Sequence, residues 1–169
     1  LLGTIAERAV GDGWEVLLVT GDRDAMQLVD DHVRVVSTKK GITDIAIYDA
    51  AAVEERFGIP PERIVDYLGL KGDTSDNIPG VPGIGEKTAA KLLQEYGSLD
   101  DVLSAAETIK GKVGENLREH AQDALVSRQV ATIRRDAPID IDLEASRWGK
   151  WDEARILAAF ADLRFDSLM

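Results

Sequence analysis

Gly80-Val81-Pro82-Gly83-Ile84-Gly85-Glu86-Lys87-Thr88-Ala89-Ala90-Lys91 is the stretch from which the rest of the chain can be read. Glycines at 80, 83 and 85 allow a tight hairpin whose backbone amides approach another surface without Cβ obstruction. The hairpin runs straight into a helix start, where free N–H groups and the helix dipole favour an anion. Lys87 and Lys91 are four apart and so share one helix face. Val81 and Ile84 are apolar and would pin the hairpin between its flanking helices. Nothing in the stretch is suited to reading base edges, so the pattern points to a backbone and its shape. The plainer reading is a helix entry turn with surface lysines.

Upstream of the hairpin lies Gly72-Asp73-Thr74-Ser75-Asp76-Asn77-Ile78-Pro79, a loop dense in turn residues. A helix spans about Glu62 to Leu70, with Ile64, Val65 and Leu68 on its apolar face. Ile59-Pro60-Pro61 separates it from a helix capped by Asp49 and running to Phe57. Residues Leu1 to Val10 read as a helix with Leu2, Ile5, Ala6 and Ala9 on one face, closed by Gly11-Asp12-Gly13. Trp14 to Thr20 reads as a buried parallel strand, followed by Gly21-Asp22-Arg23-Asp24 and a short helix over Ala25 to Leu28. Val33 to Ser37 and Asp44 to Tyr48 form a hairpin around Thr38-Lys39-Lys40-Gly41. Downstream, Glu86 to Tyr96 is a helix ended by Gly97, and Ser98 caps the next through about Ala105. Lys112 to Ile133 reads as one long helix and Asp152 to Leu163 as the last, with Ile156, Leu157 and Phe160 inward. The expected fold class is α/β over residues 1–48, followed by a helical region over 49–169.

The chain has 169 residues, 44% hydrophobic, enough for one ordinary core. No apolar run approaches the roughly 20 residues of a membrane span, and the absence of cysteine excludes disulfides and thiolate metal sites. Leu1 already sits in a helical pattern without a cap, which reads as a cut from something longer. The net charge of −11 argues against nucleic acid when taken alone. Its distribution matters more: from Lys71 to Lys91, the lysines at 71, 87 and 91 face the acids at 73, 76 and 86. Divalent metal on two of those acids would leave the stretch locally positive.

Two pairs of carboxylates carry the chemistry. Asp22-x-Asp24 follows the carboxyl end of a strand, where ligands bind in open α/β sheets, and its oxygens suit a hard cation such as Mg²⁺ or Mn²⁺. Asp73-x-x-Asp76 sits in the glycine-rich loop. The plainer readings are a capped turn for the first pair and an Asx-turn for the second. Spacing alone does not bring the pairs together. His32 and His120 lack partners at catalytic spacing and read as surface or capping residues. Ser75 and Ser98 have no His to activate them. Trp14, Trp148 and Trp151 read as packing residues rather than base-stacking platforms. Arg23, between two candidate ligands, is suited to a phosphate or to an ion pair with a neighbouring acid.

Val19-Thr20-Gly21-Asp22-Arg23-Asp24-Ala25-Met26-Gln27-Leu28 and the whole of Gly72 to Lys91 closely resemble the 5′-nuclease domain of bacterial DNA polymerase I, among the flap endonucleases. The likeness continues through Tyr96-Gly97-Ser98-Leu99, Ile109 to Glu115 and Leu163-Arg164-Phe165, so it covers essentially the whole chain. It implies the carboxyl-terminal portion of a PIN-like α/β nuclease core, followed by an all-helical helix–hairpin–helix (helix–three-turn–helix) region. The implied activity is metal-dependent hydrolysis of DNA near a 5′ end or at a 5′ flap. Asp22, Asp24, Asp73 and Asp76 would then be metal-site carboxylates for two ions. Gly80, Gly83, Gly85, Lys87, Thr88 and Lys91 would contact duplex DNA, and the carbonyls of Val81 and Ile84 would hold a monovalent cation such as K⁺. Lys110 and Lys112 read as solvated lysines or as further phosphate contacts.

The resemblance also implies carboxylates and a helical arch upstream of Leu1, so the chain by itself is expected to bind metal weakly and to cleave little. It further implies a polymerase domain in the same parent chain, a monomer, and a bacterial cytoplasmic, nucleoid-associated location with no membrane partner. The competing reading is a helix–hairpin–helix module that grips duplex DNA without cutting it. The four aspartates separate the two, because a pure clamp has no use for carboxylates beside a phosphate track. An acidic interaction domain is a third reading, and it leaves the hairpin unexplained.

Overall fold

A computed structural model of the chain describes residues 1–40, 44–149, 151–165 and 167, with the side chains of residues 39 and 40 left aside. Two compact units divide at residue 137, Leu1–Ala137 and Pro138–Met169.

The first unit opens with α1 (Leu2–Gly11), β1 (Val16–Val19) and a 3₁₀ turn over Arg23–Leu28. β2 (Val33–Lys40) and β3 (Asp44–Tyr48) complete a three-stranded sheet in the order β1-β2-β3. β1 pairs with β2 in parallel and β2 with β3 antiparallel, as the alternating strand and hairpin patterns required. The β2 strand continues through Thr38 to Lys40 instead of turning there; Gly41, the end of the expected turn, lies outside the described residues. One sheet face, with Leu18, Val33 and Val35, is buried. The other carries Leu17, Val19, Ile45 and Ile47 exposed, so β1 is half-buried and not the fully buried strand that its apolar run implied. Helix α1 also differs from its sequence pattern. Leu2 is exposed, and the packed face is Gly3, Thr4, Ala6 and Ala9. A Cβ on Gly3 would stand 2.6 Å from Ile133 Cγ2, so only glycine lets α1 approach the segment after the last helix of this unit.

The helices of this unit follow their local signals closely. Asp49 accepts the Ala52 N–H at 2.8 Å and starts α2 (Ala50–Phe57), which Gly58 ends in the left-handed region at φ 74°. A 3₁₀ turn, Pro61–Arg63, leads into α3 (Ile64–Lys71). After the glycine-rich loop come α4 (Glu86–Tyr96) and α5 (Leu99–Ser104), the latter capped by Ser98 through the Asp101 N–H. The expected single helix from Lys112 to Ile133 is two, α6 (Gly111–Glu119) and α7 (Ala121–Ala131). His120 breaks it with φ −114° and ψ 24°, its ring bonded to Asp123 at 2.8 Å. The break frees α7 to pack along α3 while α6 keeps Leu117 buried.

Gln27, 7% exposed, joins the α/β part to the end of α7. Its Nε2 donates to the Ala131 carbonyl at 2.9 Å, and its Oε1 accepts the Ile133 N–H at 2.9 Å. Arg128 links α7 to Asp100 on α5 through bonds of 2.7 and 3.1 Å, and to Asp66 on α3 at 3.3 Å. No buried side-chain polar atom among the described residues lacks a partner.

The second unit contains α8 (Glu153–Asp162), capped by Asp152. Leu157 is exposed rather than inward, and Ile156 and Phe160 are half-buried. Trp148, 89% exposed, meets Trp151 edge-on at 4.3 Å, so the two pack on each other without entering a core; Trp14 is also exposed. An aromatic ring buried against one neighbour only stays wet on its other face.

Gly80, with φ 60°, has backbone contacts so close that an added Cβ would stand 2.3 Å from the Gly72 nitrogen. Replacing Gly80 by alanine is therefore expected to cost roughly 3 kcal/mol or more in urea unfolding. Gly85→Ala, with ordinary φ and nothing within 4 Å of the new Cβ, is expected to cost at most about 1 kcal/mol.

Candidate metal and phosphate site

Two loops meet beside the sheet. The first leaves the carboxyl end of β1, where Thr20 Oγ1 accepts the Asp22 N–H at 3.1 Å and Asp22 Oδ1 accepts the Asp24 N–H at 2.9 Å. Asp22 thus caps the 3₁₀ turn, and that turn swings the Asp24 carboxyl inward to a half-buried position. The second loop follows α3. Asp73 and Ile78 exchange backbone hydrogen bonds of 2.9 and 2.7 Å, closing the loop that carries Asp76. Inside it, Asp73 Oδ1 accepts the Ser75 N–H at 2.9 Å and the Ser75 hydroxyl as well. Asn77 takes φ 56°, a left-handed conformation that asparagine tolerates.

The result is a cleft of about 370 Å³ lined by residues 21–24, Lys71 and residues 73–76. Asp24, Asp73 and Asp76 each turn a carboxylate oxygen into it, and the three atoms lie within 4.8 Å of one another. Asp22 lines the same cleft outside that trio, with one oxygen on the Asp24 N–H. Both plain readings of the aspartates, the capped turn and the Asx-turn, are present, and they orient the carboxylates that converge. Lys71, which the sequence marks only through its local charge balance, and Ser75, which it marks only as a serine without a histidine, line the same cleft. The Lys71 ammonium lies 3.9 Å from Glu86.

The charges in the cleft are poorly balanced. Burial, and then the neighbouring charges of Asp22, Asp76 and Asp73, push the Asp24 carboxyl up to about 6 against a pull from Lys71. The Ser75 hydroxyl bond holds the Asp73 carboxyl below its ordinary range. Clustered oxygens with unrelieved repulsion are the donor set of a hard divalent cation.

The hairpin stands directly after this loop. The Val81 N–H reaches the Leu70 carbonyl at 2.8 Å, the Gly80 N–H reaches the buried Ser127 hydroxyl at 3.0 Å, and Asn116 Nδ2 holds the Pro82 carbonyl at 2.6 Å. Val81 and Ile84 are buried between the helices while Gly83 and Gly85 are exposed. No side chain caps α4 at Gly85, so the first-turn N–H groups remain available. Lys87 and Lys91 are exposed on α4, Thr88 is half-buried between them, and neither lysine has an ion-pair partner among the described residues.

The raised Asp24 carboxyl predicts a pH dependence for the metal-free chain. The folded state binds this proton more tightly than the unfolded state, so its contribution to stability falls as pH rises from about 4 through 6. Asp24→Asn removes that fall. In urea unfolding at low salt the variant is expected to be roughly 1 kcal/mol more stable at pH 7, after allowance for solvent screening, with the advantage gone by pH 4.

The family model described as 5′-3′ exonuclease, N-terminal resolvase-like domain, matches residues 1–58, and that described as 5′-3′ exonuclease, C-terminal SAM fold, matches residues 59–154. DNA polymerase I of Bacillus caldotenax is 50% identical over 170 residues, which is 100% of this chain and 19% of that protein. DNA polymerase I of Bacillus subtilis is 43% identical over 170 residues, with the same 100% and 19% coverage. The crystal structure of the bacteriophage T5 flap endonuclease with DNA and metal ions shares the fold at a TM-score of 0.66 and 22% identity, over 77% of this chain and 47% of that one. With both parts of the sequence matched, α/β region and helical region alike, the chain belongs to the 5′-3′ exonuclease family.

Proposed function

We propose that the chain supplies metal-binding carboxylates and the duplex grip of a structure-specific 5′ nuclease that cuts DNA near a 5′ end or at a 5′ flap. The observation that carries this reading is the meeting of Asp24, Asp73 and Asp76 within 4.8 Å, next to a glycine hairpin. In this reading residues 1–48 bring Asp22 and Asp24, and the helical region from residue 49 brings Asp73, Asp76 and the hairpin.

Asp24, Asp73 and Asp76 would hold Mg²⁺ or Mn²⁺, with Asp22 at the rim. Bound divalent ions at such a site supply an acidified water and counter-charge for the phosphate. The chain's own groups orient the substrate. Gly83 and Gly85, both exposed, let duplex backbone approach the hairpin. Gly80, expected among the DNA contacts, is buried against Gly72 with its N–H on Ser127 and shapes the hairpin from beneath. The free N–H groups at the start of α4 face a phosphate, and Lys87, Thr88 and Lys91 extend the contact along one strand. The Val81 carbonyl keeps a lone pair after accepting the Ile84 N–H at 3.1 Å, and with the Ile84 carbonyl it would seat a monovalent cation such as K⁺. The family resemblance implies further carboxylates supplied by other parts of the parent. Without them the acids of this cleft repel one another, so the 169 residues alone are expected to bind Mg²⁺ weakly and to cleave little. The parent enzyme would be a monomeric bacterial DNA polymerase I acting at the nucleoid in the cytoplasm. No described helix is long and apolar enough to cross a membrane.

A clamp that never cuts would leave this carboxylate trio repelling the very phosphate track the hairpin holds, which disfavours that alternative. Asp73→Asn with Asp76→Asn in the full-length parent is expected to lower 5′-flap cleavage in Mg²⁺ at least about 100-fold. Unchanged cleavage together with tighter DNA binding would favour the clamp. Lys87→Ala and Lys91→Ala are each expected to reduce the log–log salt slope of duplex binding by about one, measured by fluorescence anisotropy in Ca²⁺.

A further inference from the structure

A second cleft, of about 330 Å³, opens beside the carboxylate cleft and shares Gly21 and Arg23 with it. Its character is the reverse of its neighbour's. Arg23 and Arg56 line it with the hydroxyl residues Ser37, Thr38 and Tyr48, and no acidic residue among those described does. In a chain with 31 acidic and 20 basic residues an arginine readily finds a carboxylate. Yet among the described residues no carboxylate lies within 4.0 Å of either guanidinium. Arg56 is held by other means: its guanidinium carbon sits 5.3 Å from the centre of the Phe57 ring, and that ring packs edge-on against Tyr67 at 6.0 Å. Arg23 stands between the clefts, and its charge is felt both by Asp73 on one side and by Tyr67, which also feels Arg56, on the other.

We propose that this second cleft is a phosphate subsite for the nucleic-acid strand whose neighbouring phosphodiester lies over Asp24, Asp73 and Asp76. Fork-shaped cations and hydroxyl donors without a competing acid suit phosphate oxygens. Both arginines are exposed, so a free phosphate would gain little from them in water. A phosphate tethered to a strand already held at the first cleft binds at high effective concentration. Arg23 is then the shared contact between consecutive phosphates, and Arg56 is a positioning residue remote from the reacting bond. The inference rests on the nuclease reading of the first cleft.

The test uses the full-length protein on a 5′-flap duplex, with Asp73→Asn as reference. Arg56→Gln is expected to raise KM roughly tenfold, move kcat by less than about twofold, and lower the salt slope of binding in Ca²⁺ by about one. Arg56→Lys is expected to restore the slope and part of KM, which a folding defect would not allow. If Asp73→Asn abolishes cleavage but Arg56→Gln leaves KM and slope unchanged, the subsite is refuted and the nuclease reading stands. If Asp73→Asn leaves cleavage intact, the nuclease reading itself fails. If Arg56→Gln weakens inhibition by inorganic phosphate while KM for the flap is unchanged, the cleft takes free phosphate and the strand assignment is overturned.

Discussion

Gly72 and Gly80 touch through their backbones, and the rest of the site depends on that contact. A Cβ on either would fall within 2.5 Å of main-chain atoms of the other strand of the loop, a separation that van der Waals repulsion forbids. The contact closes the loop between them, and its closure fixes where Asp73 and Asp76 point. It also fixes where the hairpin begins, since Gly80 is at once the partner of Gly72 and the first residue of the hairpin. The carboxylates and the hairpin therefore form one rigid object, tied further to α7 by Ser127 and to α3 by the Leu70 carbonyl.

Asp24 reaches that object from a different part of the chain. Its placement rests on the Asp22 cap and on Gln27 three residues later, whose amide bridges the last turn of α7 and the Ile133 amide. One short segment thus carries both a candidate ligand and the clamp that keeps it in register with the helices bearing the other two. Such coupling matters because three carboxylates at this spacing repel each other, and only a stiff framework holds them together without a cation.

The net charge of −11 is unevenly spread. Asp22, Asp24, Asp73 and Asp76 line one cleft. Arg23 and Arg56 line the neighbouring cleft, Lys87 and Lys91 are exposed on α4, and none of these four cations has an ion-pair partner among the described residues. The negative total says little about any one patch, because screening confines each group's influence to about 10 Å.

The sequence by itself settled what short-range chemistry settles. Asp49 and Ser98 cap the helices they were expected to cap, the glycines shape the loop and hairpin, and the hairpin of strands forms, because each depends on groups a few residues apart. Tertiary structure decided the rest. It broke the run from Lys112 to Ile133 at His120, where no glycine or proline marks a stop and where the break lets α7 lie along α3. It put Gly3 rather than Leu2 at the packed face of α1, since close helix approach favours the residue without a side chain. It left the tryptophans exposed and assembled the Arg23–Arg56 cleft from residues with no common motif. Above all, it carried Asp24 to Asp73 and Asp76 across some fifty residues, a meeting that no local pattern encodes because it is the sum of many buried contacts between.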